Sequence, residues 1–105
     1  MKKIAYFGFT GELICFSHIL FNAEDMLNKG YDVKIIIEGS STKLIPILCS
    51  EKNPFQKLYL SLKEKGVIDA VCQACAHKMG TLEDAKKEGL PLANDLYGHP
   101  SISSY

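Results

Sequence analysis

Two cysteines separated by two residues, Cys72 and Cys75, are the residues of this sequence best suited to do chemistry. They follow a short apolar run, residues 67–71, which is typical of a buried strand, and they stand where a helix is predicted to begin. A helix N-terminus favours the thiolate form of a nearby cysteine and lowers its pKa. The sequence therefore predicts a reactive thiol at Cys72, exposed at the end of the strand, with Cys75 as its partner.

Three kinds of chemistry are open to this pair. Cys72 could carry a persulfide, taking sulfane sulfur from a donor and passing it on. The two thiols could instead cycle between dithiol and disulfide. They could also bind a metal, with His77, His99 or a neighbouring subunit completing the shell, although the second Cys-x-x-Cys typical of a structural zinc site is missing. The plainer alternative is that both cysteines are small buried residues.

Composition and charge exclude several classes of function. Twelve lysines balance twelve acidic residues, and the chain contains no arginine, so we expect neither nucleic acid nor an anionic membrane as a partner. No apolar run reaches membrane-spanning length. The apolar stretch after the first lysines is too short for a signal peptide, which predicts a cytoplasmic location where thiols stay reduced.

Strands and helices alternate along the chain, and together they must position the cysteine pair. Apolar and β-branched runs predict strands over residues 3–8, 33–38, 67–71 and, weakly, 90–94. Helical spacing and capping residues predict helices over residues 13–29, 43–49, 55–65, 74–79 and 81–89, and a further helix start at 98–101. This order predicts one α/β domain, residues 1–105, folded as a three-layer α/β/α sandwich of flavodoxin-like appearance with a mainly parallel sheet of four to five strands.

Ligands of open α/β sheets bind beyond the carboxyl ends of the strands, and this rule selects further candidate residues. Glu38 at the end of the second strand, His77 after the cysteines and His18 in the first helix are weaker candidates for lining the pocket. Glu38 could equally be an exposed strand-end charge, and His18 an interfacial residue. The first two turns of the helix over residues 13–29 are apolar nearly all round, which predicts that another subunit covers them.

The sequence resembles the DsrE/DsrF-like family of small cytoplasmic sulfur-relay proteins, in particular a subgroup with two cysteines. The resemblance is carried by the first strand-helix-strand unit and by residues 30–35, 38–39, 68–76, 89–92 and 98–101. It implies a parallel sheet flanked by helices and a homo-oligomer, commonly a trimer or hexamer. We expect a sulfur-handling protein with Cys72 as its nucleophile to require no cofactor. In the sulfur-relay members a cysteine near the position of Cys72 carries a persulfide to a partner protein.

The resemblance thus favours a sulfur-relay or thiol-redox function in which Cys72 is the carrier and Cys75 its partner thiol. A sulfur donor or acceptor protein would be the partner. The alternative is a non-catalytic homo-oligomeric binding module whose cysteines pack or hold a metal. Similar chains continue after the residues that match 98–101 into a final strand, so we expect either that this sequence stops short of the natural C-terminus or that its sheet lacks that last strand.

Overall fold

A computed structural model describes residues 2–105, which form a four-stranded, all-parallel sheet accompanied by helices. The strands lie in the order β1-β2-β3-β4 and span Lys3–Gly8, Asp32–Ile37, Ile68–Cys72 and Leu92–Ala93. The α-helices, α1 to α5, span Leu13–Asn28, Ile45–Leu48, Gln56–Glu64, Gln73–Lys78 and Leu82–Lys87, and two 3-10 helices span Gly39–Leu44 and Ile102–Ser104. The predicted α/β sandwich with a mainly parallel sheet is confirmed.

The two central strands are apolar on the face that packs against the helices, whereas the opposite face also carries Lys34 and Asp69, whose charged groups lie 4.0 Å apart. Ile35, Ile36 and Ile37 of β2 are completely buried. The register runs without interruption between β1 and β2, and shifts once between β2 and β3, after Ile35. At the carboxyl edge of the sheet β3 pairs with β4 through Cys72 and Ala93, so the last residue of β3 lies beside the last residue of β4.

All five α-helices within residues 2–105 bury side chains against the same face of the sheet. Each strand follows its neighbour in sequence, and right-handed crossovers between such strands place every connecting helix on one side. The shared apolar cluster contains side chains from that sheet face and from each helix, among them Val33, Ile35, Ile37, Val71, Phe16, Leu48, Tyr59, Ala76 and Ala85. The helices therefore form one layer of the sandwich.

The opposite face of the sheet is covered in part by the C-terminal segment, residues 94–105, while Lys34 on that face is exposed. Phe7 points to this face because its neighbour Tyr6 points into the helical core. The ring of Tyr105 packs edge-on against Phe7, with 5.4 Å between ring centroids, and its hydroxyl donates a hydrogen bond to the Asp69 carboxylate at 2.6 Å. This segment with its 3-10 helix thus packs on part of the sheet face opposite the helices.

The N-cap of α1 is Glu12, whose carboxylate accepts hydrogen bonds from the backbone N–H groups of Ile14 and Cys15. One local prediction differs from the structure. Residues 98–101 do not begin a helix: Leu96 and His99 form an antiparallel bridge around a tight turn, and a 3-10 helix follows at Ile102. Gly98 in this turn has φ +84°, a conformation that favours glycine.

The longest helix, α1, buries Phe16, Leu20 and Ala23 completely. Its outer side also carries apolar residues, since Ile14 is 66% exposed and Phe21 39% exposed. In the described chain, residues 2–105, no helix combines the length and apolarity needed to cross a membrane.

Candidate functional site

Two thiols and an imidazole meet at the carboxyl edge of the sheet, where β3 leads into α4. Nδ1 of His99 lies 2.9 Å from Sγ of Cys72 and 3.7 Å from Sγ of Cys75. The three atoms all lie within 4.8 Å of one another. The fold therefore brings His99 to the cysteine pair across 24 to 27 positions of sequence. We call these three residues the dithiol–imidazole cluster.

Backbone hydrogen bonds hold the cluster in place. Cys72 is the N-cap of α4, and its Sγ accepts a hydrogen bond from the backbone N–H of Cys75 at 3.4 Å. The backbone N–H of Ala74 donates to the carbonyl of Gly98 at 2.9 Å, which fastens the tight turn to the start of α4. Leu96 and His99 exchange two backbone hydrogen bonds of 2.8 Å each across that turn. The position of His99 thus depends on the path of the C-terminal segment.

The environment of Cys72 differs from the one expected from sequence. Its side chain is completely buried, and burial raises the pKa of the Cys72 thiol to about 12, although the hydrogen bond from the Cys75 N–H acts in the opposite direction. The expectations of an exposed sulfur and a lowered pKa are therefore wrong. The physical reason is that the turn carrying His99 lies over Cys72 and removes water from it. Cys75 is half-buried, so it is the more accessible thiol of the pair.

Glu38 is the predicted pocket residue that lies near the cluster. It is only 6% exposed, so it is not a solvated strand-end charge. Burial raises the pKa of its carboxyl, and the charge of the nearby His99 acts in the opposite direction. Glu38 and His99 line a pocket of about 430 Å³. The rest of the wall is mainly apolar and consists of Phe9, Leu96, Tyr97, Pro100, Ser101, Ile102 and Ser103.

The other two predicted pocket residues lie elsewhere. His18 is exposed on α1 and packs edge-on against Phe21, with 5.7 Å between ring centroids. His77 is exposed in the last turn of α4, where a partial positive charge is favourable next to the helix C-terminus. Neither histidine lines the pocket, so the prediction that they do is wrong, and His99 rather than His77 is the histidine beside the sulfurs.

The sequence predicted His99 only as one of several alternative metal ligands, and not as a neighbour of Cys72 in a thiol site. No local periodicity connects it with Cys72, and the signal for it is the Gly-His-Pro-Ser stretch at residues 98–101. The remaining cysteines stand apart from the cluster: Cys15 is exposed beside Glu12, and Cys49 is half-buried beside Glu88.

The fold and the cluster define a parallel α/β protein with a dithiol–imidazole site at the carboxyl edge of its sheet. The chain belongs to the same family as uncharacterized protein MJ0733 of Methanocaldococcus jannaschii, with which it is 38% identical over 88 residues, covering 84% of this chain and 69% of that protein. Two uncharacterized proteins of Archaeoglobus fulgidus match shorter stretches. One is 34% identical over 58 residues, which cover 55% of this chain and 93% of that protein, and the other is 59% identical over 27 residues, which cover 26% and 73%. No family model and no solved structure matches the chain.

Proposed function

We propose that this protein carries sulfane sulfur as a persulfide on Cys72, with Cys75 as the second thiol and His99 as the proton acceptor. The observation that carries the proposal is the short contact of 2.9 Å between Nδ1 of His99 and the sulfur of Cys72. A buried thiol with a raised pKa becomes a nucleophile only if a base nearby takes its proton, and an unprotonated imidazole nitrogen can do so. The resemblance to sulfur-relay proteins supports the same role for Cys72.

The loading step conserves atoms and electrons. His99 takes the proton of the Cys72 thiol, and the resulting thiolate attacks the outer sulfur of a donor persulfide. A sulfur–sulfur bond forms on Cys72 while the sulfur–sulfur bond of the donor breaks, and the donor leaves as a thiolate that receives the proton from His99. The sulfur is then passed to an acceptor thiol by the same exchange in reverse.

Cys75 makes a second reaction of the loaded protein possible. Its thiolate can attack the inner sulfur of the Cys72 persulfide, which forms a Cys72–Cys75 disulfide and releases hydrogen sulfide. In this step the two thiols are oxidised and the sulfane sulfur is reduced, so no further oxidant is required. The proposal includes a reducing, cytoplasmic setting, because the carrier must start from free thiols, and a donor or acceptor protein as partner.

The mechanism requires that the donor persulfide reach the buried sulfur of Cys72. The sulfur of Cys72 is covered by Gly98 and His99, whereas Cys75 is half-buried. We propose that the turn over residues 96–99 moves when a donor binds, and that the loaded sulfur is afterwards shielded from water.

Mass spectrometry of the reduced protein after incubation with a persulfide donor tests the proposal. We expect one added sulfur on Cys72, no such loading in Cys72→Ser, and loading slowed about 100-fold in His99→Ala, at the low end of what a general base contributes. Cys49→Ser is the matched control, because it removes a half-buried cysteine outside the cluster. Equal loading of Cys72→Ser and the unmodified chain would exclude Cys72 as the carrier.

The non-catalytic alternative is a homo-oligomeric module whose cysteines only pack or hold a metal. One observation favours it, namely that Cys72 is completely buried. Under this alternative, no persulfide forms on either cysteine of the pair, even at donor concentrations that modify the exposed Cys15.

A further inference from the structure

We infer that Cys72, Cys75 and His99 form a binding site for a divalent cation of the zinc type, with three protein ligands and an open fourth position. The inference rests on the geometry of the dithiol–imidazole cluster and does not require that the chain carries sulfur. It goes beyond the proposed function because a bound metal would hold both thiols in a state that cannot accept sulfur.

The distances between the ligand atoms carry the inference. In a tetrahedral zinc site with ordinary bond lengths, two sulfurs lie about 3.8 Å apart and a sulfur and a nitrogen about 3.6 Å apart. In the cluster, Nδ1 of His99 lies 3.7 Å from Sγ of Cys75 and 2.9 Å from Sγ of Cys72, and all three atoms lie within 4.8 Å of one another. The His99–Cys72 pair must separate by about 0.7 Å to admit the ion at its usual bond lengths.

The chemistry of the donors selects the class of metal. Two thiolates and one imidazole nitrogen are soft to borderline ligands, which suit Zn²⁺ and disfavour Mg²⁺ and Ca²⁺. Within residues 2–105 no fourth histidine, cysteine or carboxylate joins the group. A site with three protein ligands keeps one position for water or an exogenous ligand, as catalytic rather than structural zinc sites do.

The surroundings of the cluster also suit a metal. The backbone N–H of Cys75 already donates to the sulfur of Cys72, a contact that stabilises negative charge on a ligating thiolate. His99 lines its pocket together with Glu38, a buried carboxyl group whose ionised form a nearby cation would favour. Cys75 is half-buried, so the cluster is not wholly closed off from solvent.

Metal titration of the reduced, metal-free full chain tests the inference. Zn²⁺ is added in competition with a chromophoric chelator, and Co²⁺ is added separately because its visible spectrum reports thiolate ligation and tetrahedral geometry. We expect one equivalent of either ion per chain and cobalt–thiolate absorption. We expect the affinity to fall more than about 100-fold in Cys72→Ser, Cys75→Ser and His99→Ala, since even changes to residues that only support a ligand cost up to that much.

Three control variants separate this site from adventitious binding by other thiols and imidazoles. Cys15→Ser, Cys49→Ser and His77→Ala remove groups outside the cluster and should leave the affinity unchanged. Far-ultraviolet circular dichroism of each metal-free variant shows whether it has folded. Cys72→Ala, which is apolar and smaller than cysteine, replaces Cys72→Ser if the latter does not fold.

Stoichiometric binding that survives loss of Cys72 or His99, or no binding by the folded, reduced chain, would overturn the inference. The persulfide-loading experiment is run on metal-free protein, so the two proposals can fail independently. If both hold, one equivalent of Zn²⁺ should block sulfur loading, and a chelator should restore it.

Discussion

At the scale of single residues, the balance between burial and proton transfer decides what Cys72 can do. Burial removes the water that would stabilise a thiolate and raises the pKa of Cys72 to about 12. Nδ1 of His99 lies 2.9 Å from the sulfur of Cys72, close enough to accept the proton of its thiol. We therefore expect the thiol to react with a substrate that reaches the cluster and to be largely inert toward small reagents in bulk solvent. Cys75 has the same neighbours and greater exposure, so it should meet such reagents first.

We therefore expect iodoacetamide to alkylate Cys75 well before Cys72 in the native, reduced protein. A pKa of about 12 lies above the usual value of 9.0, so the thiolate fraction of Cys72, and its alkylation rate, should rise about tenfold per pH unit throughout the range below that pKa. Peptide mass spectrometry over a time course at several pH values measures both rates. In denaturant the two rates should become equal, whereas equal rates in the native protein would contradict the buried position of Cys72.

At the scale of elements, the C-terminal segment does more than complete the sandwich. It covers part of the sheet face that contains Phe7 and it carries His99 to the cluster. Tyr105 anchors its end through the contact with Phe7 and the hydrogen bond to Asp69, and the Nζ of Lys34 lies 5.8 Å from the centre of the Tyr105 ring. Loosening this anchor should expose Cys72 to solvent more often, because the segment that Tyr105 anchors also covers Cys72.

Tyr105→Ala should therefore speed the alkylation of Cys72 about fivefold or more. The variant loses one hydrogen bond and an aromatic contact, together worth about 1 kcal/mol or more. Losing that free energy raises the equilibrium constant for local opening of the segment about fivefold or more, and the alkylation rate rises with it. Tyr97→Ala is the matched control, because Tyr97 is 94% exposed in the turn next to His99. If both variants leave the rate unchanged, the segment does not open as one unit from its end.

The elements that the sequence predicted are those with a strong local pattern. The β-branched residues of β2 and the apolar run before Cys72 predicted strands, and both are strands of the parallel sheet. The position of the cysteine pair at the end of β3 was also predicted correctly. The burial of Cys72 and the short distance from His99 to its sulfur were not predicted, because both result from the path of the C-terminal segment. That path depends on a turn at Gly98 and on the distant contact between Tyr105 and Asp69, and no short-range periodicity records such contacts.

At the scale of the whole molecule, the outer side of α1 is the surface that a single chain leaves unexplained. Ile14 and Phe21 lie two turns apart on the same side of the helix, and both are exposed. Phe21 also packs edge-on against Phe55, with 4.9 Å between ring centroids, which extends the apolar surface beyond α1. Apolar side chains grouped in this way mark contact surfaces more often than scattered ones do. The resemblance to oligomeric sulfur-relay proteins suggests a second copy of this chain as the occupant.

We expect the protein to form a homo-oligomer of three or six chains through this surface, and Ile14→Glu to dissociate it. Burying an isoleucine contributes about 1.5–3 kcal/mol per copy, and a glutamate in its place would add the cost of burying a charge, so the dissociation constant should rise more than about tenfold. Sedimentation equilibrium over a range of concentrations measures the change. Tyr97→Glu, which introduces the same charge at a residue that is 94% exposed in the turn beside His99, should leave the assembly intact. A wild-type chain that remains monomeric at high concentration would show that the apolar side of α1 does not join copies of this chain.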